Sequence, residues 1–174
     1  MMSNDRRLLA AAGKGLAAGA VGVAVMTLGE KVERAFTHRP NSFVPAHTLE
    51  RLLGLPFKPD GKRPGFNLAM HWGQGIALGA LRGLMAEGRL RGPWASAMFT
   101  VVRLTADQTQ ENITEVGAPP WTWPRGELLI DLLHKGIYGF VTGVVADRLA
   151  RPEPVWGQAR RDRSDPLHPR RGVR

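Results

Sequence analysis

Apolar positions gather into four stretches separated by polar punctuation. The clearest runs from Leu8 to Leu28, built of Leu, Ala, Gly, Val and Met, with Lys14 its only charge and Thr27 its only hydroxyl. About 20 apolar helical residues cross a hydrocarbon core, so this length predicts a membrane-spanning helix. It is longer than the apolar region of a signal peptide and carries Lys14, which favours an uncleaved first span. Residues 66–86 are apolar apart from Asn67, His71, Gln74 and Arg82. Residues 93–115 open as PWASAMFTVV and turn polar from Arg103. Residues 127–149 follow Pro124 and hold Asp131, His134, Lys135 and Tyr138. The pattern predicts an all-α fold, a four-helix antiparallel transmembrane bundle over residues 1–150. The later three stretches also fit the core helices of a soluble bundle, held to a membrane only peripherally, and that alternative stays open.

Glycine spacing favours lipid. Gly15 and Gly19, Gly75, Gly79 and Gly83, and Gly139 and Gly143 all recur at every fourth position. In water a mid-helix glycine costs about 1 kcal/mol relative to alanine. Between membrane helices the same spacing lets backbones approach and pack. Glycine faces of this kind also suit association with a second copy of the chain.

The connections carry their own signals. PAHTLERLLGLP in the first loop, with Pro45 near its start, Gly54 near its end and Leu49, Leu52 and Leu53 on one side, predicts a short amphipathic helix at the membrane interface. Pro119, Pro120 and Pro124 punctuate the third connection. Trp121 and Trp123 lie there, and with Trp72 and Trp94 they suit an interfacial aromatic belt.

Composition sharpens the picture. The net charge of +9 implies an anionic partner, and the arginine-rich, Pro-containing residues 151–174 read as a basic disordered tail suited to anionic lipid headgroups. No nucleic-acid motif accompanies the charge, so nucleic acid is not an expected partner. Arg6 and Arg7, Arg89 and Arg91, and the tail fall on one side of a four-span chain. The positive-inside rule then predicts a multi-pass protein of the plasma (inner) membrane with both termini cytoplasmic. The absence of cysteine excludes disulfides, thiolate metal sites and cysteine nucleophiles. No Walker A loop, GxGxxG, GxSxG or HExxH is present, so no familiar enzyme class is indicated.

From about Gly15 to Leu149 the segments AVMTLGEKVE, NLAMHWGQG, RGPWAS, APPWTWP and DLLHKGIYGFVTG resemble small four-span integral membrane proteins of the YagU-like type. The resemblance implies four spans and an inner-membrane address, and it transfers no catalytic or binding residue.

The functional lead is a polar level. In an antiparallel bundle the end of the first span (Glu30, Glu33) is level with the start of the second (Asn67, His71, Gln74). The end of the third (Asp107, Glu111) and the start of the fourth (Asp131, His134) share that level. Helical phase puts Asn67, His71 and Gln74 on one face, Arg103, Asp107 and Gln110 on another, and Asp131, His134 and Tyr138 on a third. Ionisable groups in a membrane normally face the interior or a partner. His71, Asp107, Glu111, Asp131, His134 and Glu30 are the candidate ligands of a divalent metal, Asp131 and His134 at the i,i+3 spacing of a carboxylate–imidazole pair. Asn67, Gln74, Arg103 and Tyr138 complete the polar cluster. The same groups can instead hold helices in register or relay protons. The favoured function is a non-enzymatic structural, accessory or transporter-like bundle. The alternative is a metal-binding membrane protein or metal-dependent membrane enzyme.

Overall fold

The structure, a computed structural model, describes residues 2–150, which form five α-helices and one 3-10 turn without strands. The helices are α1 (Met2–Thr37), α2 (Val44–Leu52), α3 (Pro64–Glu87), α4 (Gly92–Ile113) and α5 (Arg125–Ala150), with the turn at Pro120–Thr122. The fold is all-α, as the apolar pattern predicts. The tail, residues 151–174, with its predicted disorder and lipid contact, lies outside the described residues.

Proline starts three of these helices. Pro45, Pro64 and Pro93 each occupy the first turn of α2, α3 and α4, where the missing N–H has no helical partner to lose. The ends of α3 and α4, like those of α1 and α2, close by a residue in the left-handed region, here Arg89 (φ 67°) and Glu115 (φ 56°). Beyond them the Leu90 N–H donates to Met85 O at 2.8 Å and the Val116 N–H to Glu111 O at 3.1 Å. These bonds satisfy terminal carbonyls and turn the chain sharply.

α1 lies against both α3 and α5, α4 rests mainly on α5, and α3 and α4 meet little along their length. Glycine sets the α1–α3 approach. A Cβ placed on Gly79 would stand 2.6 Å from the Gly19 Cα, and one on Gly83 would stand 2.6 Å from the Gly15 Cα. Gly139 abuts Thr100, and Gly143 abuts Ser96. The glycines at every fourth position thus pack against neighbouring helices of the same chain.

The interior is small and polar for a bundle of this length. One apolar cluster joins Val23, Met26, Phe99 and Tyr138, and a second joins Ala18, Ala86 and Ala146. The outside carries the large side chains: Leu9 is 72% exposed, Leu28 61%, Val101 60% and Leu129 66%. Trp94 and Trp121 are also on the surface.

Among the described residues two helices are long and apolar enough to cross a membrane, α1 (over Asn4–Thr37) and α5 (Arg125–Ala150). The four-span expectation meets a difference here. α3 dilutes its leucines with glycine and with Asn67, His71, Gln74 and Arg82, while the second half of α4 is polar from Arg103 to Glu111.

The end of the bundle that joins α3 to α4 is locked by a buried ion pair. Arg82, with no exposed surface, donates from Nη2 to Asp147 Oδ1 at 2.8 Å. The other Asp147 oxygen accepts the Gly92 N–H at 2.8 Å, and Arg82 Nη1 reaches Leu90 O at 3.4 Å. One carboxylate thus ties α5 to α3 and to the first residue of α4.

Candidate functional site

At the opposite end the helices part around a polar chamber of about 700 Å³. The end of α1, the start of α3, the end of α4 and the start of α5 form its walls, with the loops at 39–45 and 116–123 at its rim. All six candidate metal ligands, Glu30, His71, Asp107, Glu111, Asp131 and His134, line it, as do Asn67, Gln74 and Arg103. Antiparallel order and helical phase thus bring these residues to one place.

Their pairing differs from a metal centre. Asp107 accepts the Gln74 amide at 2.7 Å and faces Arg103 Nε at 3.1 Å and Lys135 Nζ at 3.3 Å. Asp131 accepts from Lys135 Nζ at 2.8 Å, and Glu30 accepts from Arg34 Nη2 at 2.9 Å. His71 Nε2 lies 4.0 Å from Glu30 Oε1 and 3.4 Å from Thr27 Oγ1. His134 is buried in the wall near Gly29. Glu111 is approached at 3.5 Å by the Gln108 amide. Among the described residues no three His, Asp or Glu side chains form a metal-holding group. Neighbouring cations engage the carboxylates instead, a cheaper arrangement in a low-dielectric interior than clustered like charges.

Two members of the expected cluster do other work. Tyr138 does not line the chamber; it is fully buried, donates its O–H to Gly75 O and lies beneath the Arg103 guanidinium at 5.3 Å. Asn67 accepts the Ala46 N–H at 3.2 Å and so fastens α2 to α3. The pattern of candidate ligands passes over Lys135, which bridges Asp107 and Asp131. The signal for it is its place four residues after Asp131 on the same helical face.

A second polar knot holds α2 beside the chamber. Glu50, 1% exposed, accepts from His47 Nδ1 at 3.0 Å, Arg63 Nη1 at 2.9 Å and the Lys58 N–H at 3.4 Å. His47 Nε2 faces Asp60 at 2.9 Å. Burial pushes the Glu50 carboxyl up, but the His47 hydrogen bond, the Lys58 N–H and the Arg63 charge together hold it below its ordinary value. The hydrogen bonds to Asp60 and to Glu50 raise the His47 imidazolium above the ordinary histidine value. A raised histidine stabilises fully below its unfolded-state value and loses that contribution as pH rises through the folded-state value. The segment from Phe57 to Arg63 should therefore loosen as His47 deprotonates. Limited trypsin cleavage after Lys62, compared with His47→Gln at each pH, reads this out. Wild type should be the more resistant at pH 6 and should converge with the variant by pH 9. A constant ratio contradicts the lock.

No family model, curated protein or solved structure matches the chain.

Proposed function

We propose that the chain is a four-span integral membrane protein, a non-enzymatic, transporter-like bundle with both termini on the cytoplasmic side. On this reading its chamber opens toward the opposite face. The observation that carries it is the distribution of polarity: leucine, valine and tryptophan side chains lie exposed on the outside, while Arg82, Arg103, Asp107, Thr142 and Asp147 are buried beside small apolar clusters. Buried charge with many large apolar side chains exposed is unlike a bundle in water, and extensive exposed apolar surface marks a contact with lipid or a partner.

The polar residues of α3 and α4 fit this reading because they point inward. Gln74, Arg103 and Asp107 line the chamber and Arg82 is sealed against Asp147, so the outward faces of both helices keep Leu81, Leu84, Met98 and Val101 for the acyl chains. Arg6, Arg7, Arg89 and Arg91 lie toward the end remote from the chamber and suit anionic headgroups there, as does the composition of the tail. Four spans and an inner-membrane address are also what the YagU-like resemblance implies.

Closely packed glycines and the Arg82–Asp147 pair fill the cytoplasmic half. The arrangement corresponds to a one-sided state, a chamber accessible from outside and closed within. Alkaline carbonate washing of membranes tests the reading: the protein should remain in the pellet. Release into the supernatant would make it a peripheral helical protein.

A further inference from the structure

We propose that the chamber is a binding site for a small oxyanion, a carboxylate or phosphate group, held by Arg103. The inference rests on the polar chamber of the membrane reading and adds the chemistry of its ligand.

Arg103 is 4% exposed, yet it lines the chamber. Its Nη1 has no hydrogen-bond partner among the described residues, while its Nε faces Asp107 Oδ2 at 3.1 Å. Among the described residues its only ion pair is with Asp107, one turn along α4, and Lys135 draws on the same carboxylate at 3.3 Å. Arg103 and Lys135 are thus paired with Asp107 and Asp131, and what the inner wall leaves unused is donor capacity on the guanidinium. Asp131 and Glu30 are already engaged by Lys135 and Arg34. Glu111 lies two turns beyond Arg103, about 12 Å along the helix by its rise, and does not crowd it.

A second orphan donor borders the same wall. Trp72 lines the chamber, packs on the cluster that contains Tyr138, and has a buried indole N–H without a partner among the described residues. The Arg103 guanidinium lies over the Tyr138 ring, so its orientation is set from below. An unmade hydrogen bond at a buried donor is costly, and a guanidinium with free N–H groups matches an oxyanion in charge and in fork geometry. The oxyanion can be a free solute or a lipid headgroup entering from the rim, since the recognised chemistry is the same.

The chain has no cysteine, so a single engineered thiol reports the chamber cleanly. Gln74→Cys places one beside Asp107, and Thr109→Cys on the exposed face of α4 is the control. In neutral detergent, inorganic phosphate should slow N-ethylmaleimide labelling of Gln74→Cys about tenfold and leave Thr109→Cys unchanged, with chloride at equal ionic strength inert. If the source is a headgroup, nanodiscs containing phosphatidylglycerol should protect where pure phosphatidylcholine does not, and free phosphate should be weak. Arg103→Lys in the same background keeps the charge but loses the fork. It should raise the phosphate concentration needed for half-protection about ten- to hundredfold, the worth of one or two charge-assisted hydrogen bonds. Should Arg103→Lys fail to fold, the Gln74→Cys comparison decides alone. Absence of protection by phosphate and by phosphatidylglycerol overturns the proposal, as does unchanged protection in a folded Arg103→Lys protein. A protein that resists carbonate washing but shows no protection loses this inference alone. One that carbonate releases yet phosphate protects loses the membrane reading alone.

Discussion

Asp147→Ala is expected to destabilise the folded bundle by about 3–5 kcal/mol, the typical cost of removing one partner from a buried ion pair. Arg82 has no exposed surface and would keep its charge in the interior without a counter-ion. The same change strips the Gly92 N–H of its acceptor, so the turn between α3 and α4 loses its anchor to α5. Thermal or denaturant unfolding in detergent measures the loss. The double variant Arg82→Met with Asp147→Ala should recover a large part of it, because replacing both charges by apolar volume removes the orphan. An Asp147→Ala protein as stable as wild type would mean that Arg82 reaches water or another acceptor.

Gly79→Leu carries the second large effect. The neighbours of a side chain at this position are the backbone of α1 at Gly15 and Gly19, which cannot rotate aside. Overpacking typically costs about 1–3 kcal/mol, and rigid neighbours put this site at the upper end. Gly73, on the same helix, has open space where its Cβ would stand. Gly73→Leu should therefore be close to neutral, and the contrast between the two melting temperatures in detergent is the measurement. Equal shifts would place Gly79 away from the α1 contact.

Much of this architecture was legible because it depends on local chemistry. The apolar run from Leu8 to Leu28 lies inside α1, and the prolines at 45 and 93 mark true helix starts. The end of α1 was not marked. Its last turns are polar but helix-forming, and the Glu30–Arg34 pair at i,i+4 carries the helix on to Thr37. α2 forms where the sequence places a short amphipathic helix, with Leu52 and Leu53 exposed, but the side it turns to the protein, Ala46, Thr48 and Glu50, was not marked. Glu50 is tolerated there only because Arg63 and the Lys58 N–H, distant in sequence, come to it.

The chamber follows the same division. Helical phase and antiparallel order suffice to gather His71, Asp107, Asp131 and His134, since neither depends on side-chain detail. What they bind does depend on it, and Lys135 changes the answer. By bridging Asp107 and Asp131 it turns an apparent metal-ligand set into alternating charge. Tyr138, on the same stripe, faces the α3 backbone because glycine at position 75 leaves a carbonyl within reach.

Four spans are the claim on which the rest stands, and the turn between α3 and α4 decides it. If only α1 and α5 crossed the membrane, that turn would lie outside; with four spans it lies in the cytoplasm. Topology reporters fused after residues 60, 90 and 120 should read outer, cytoplasmic and outer. An outer signal at residue 90 would reduce the protein to two spans and remove the lipid-facing role assigned to α3 and α4.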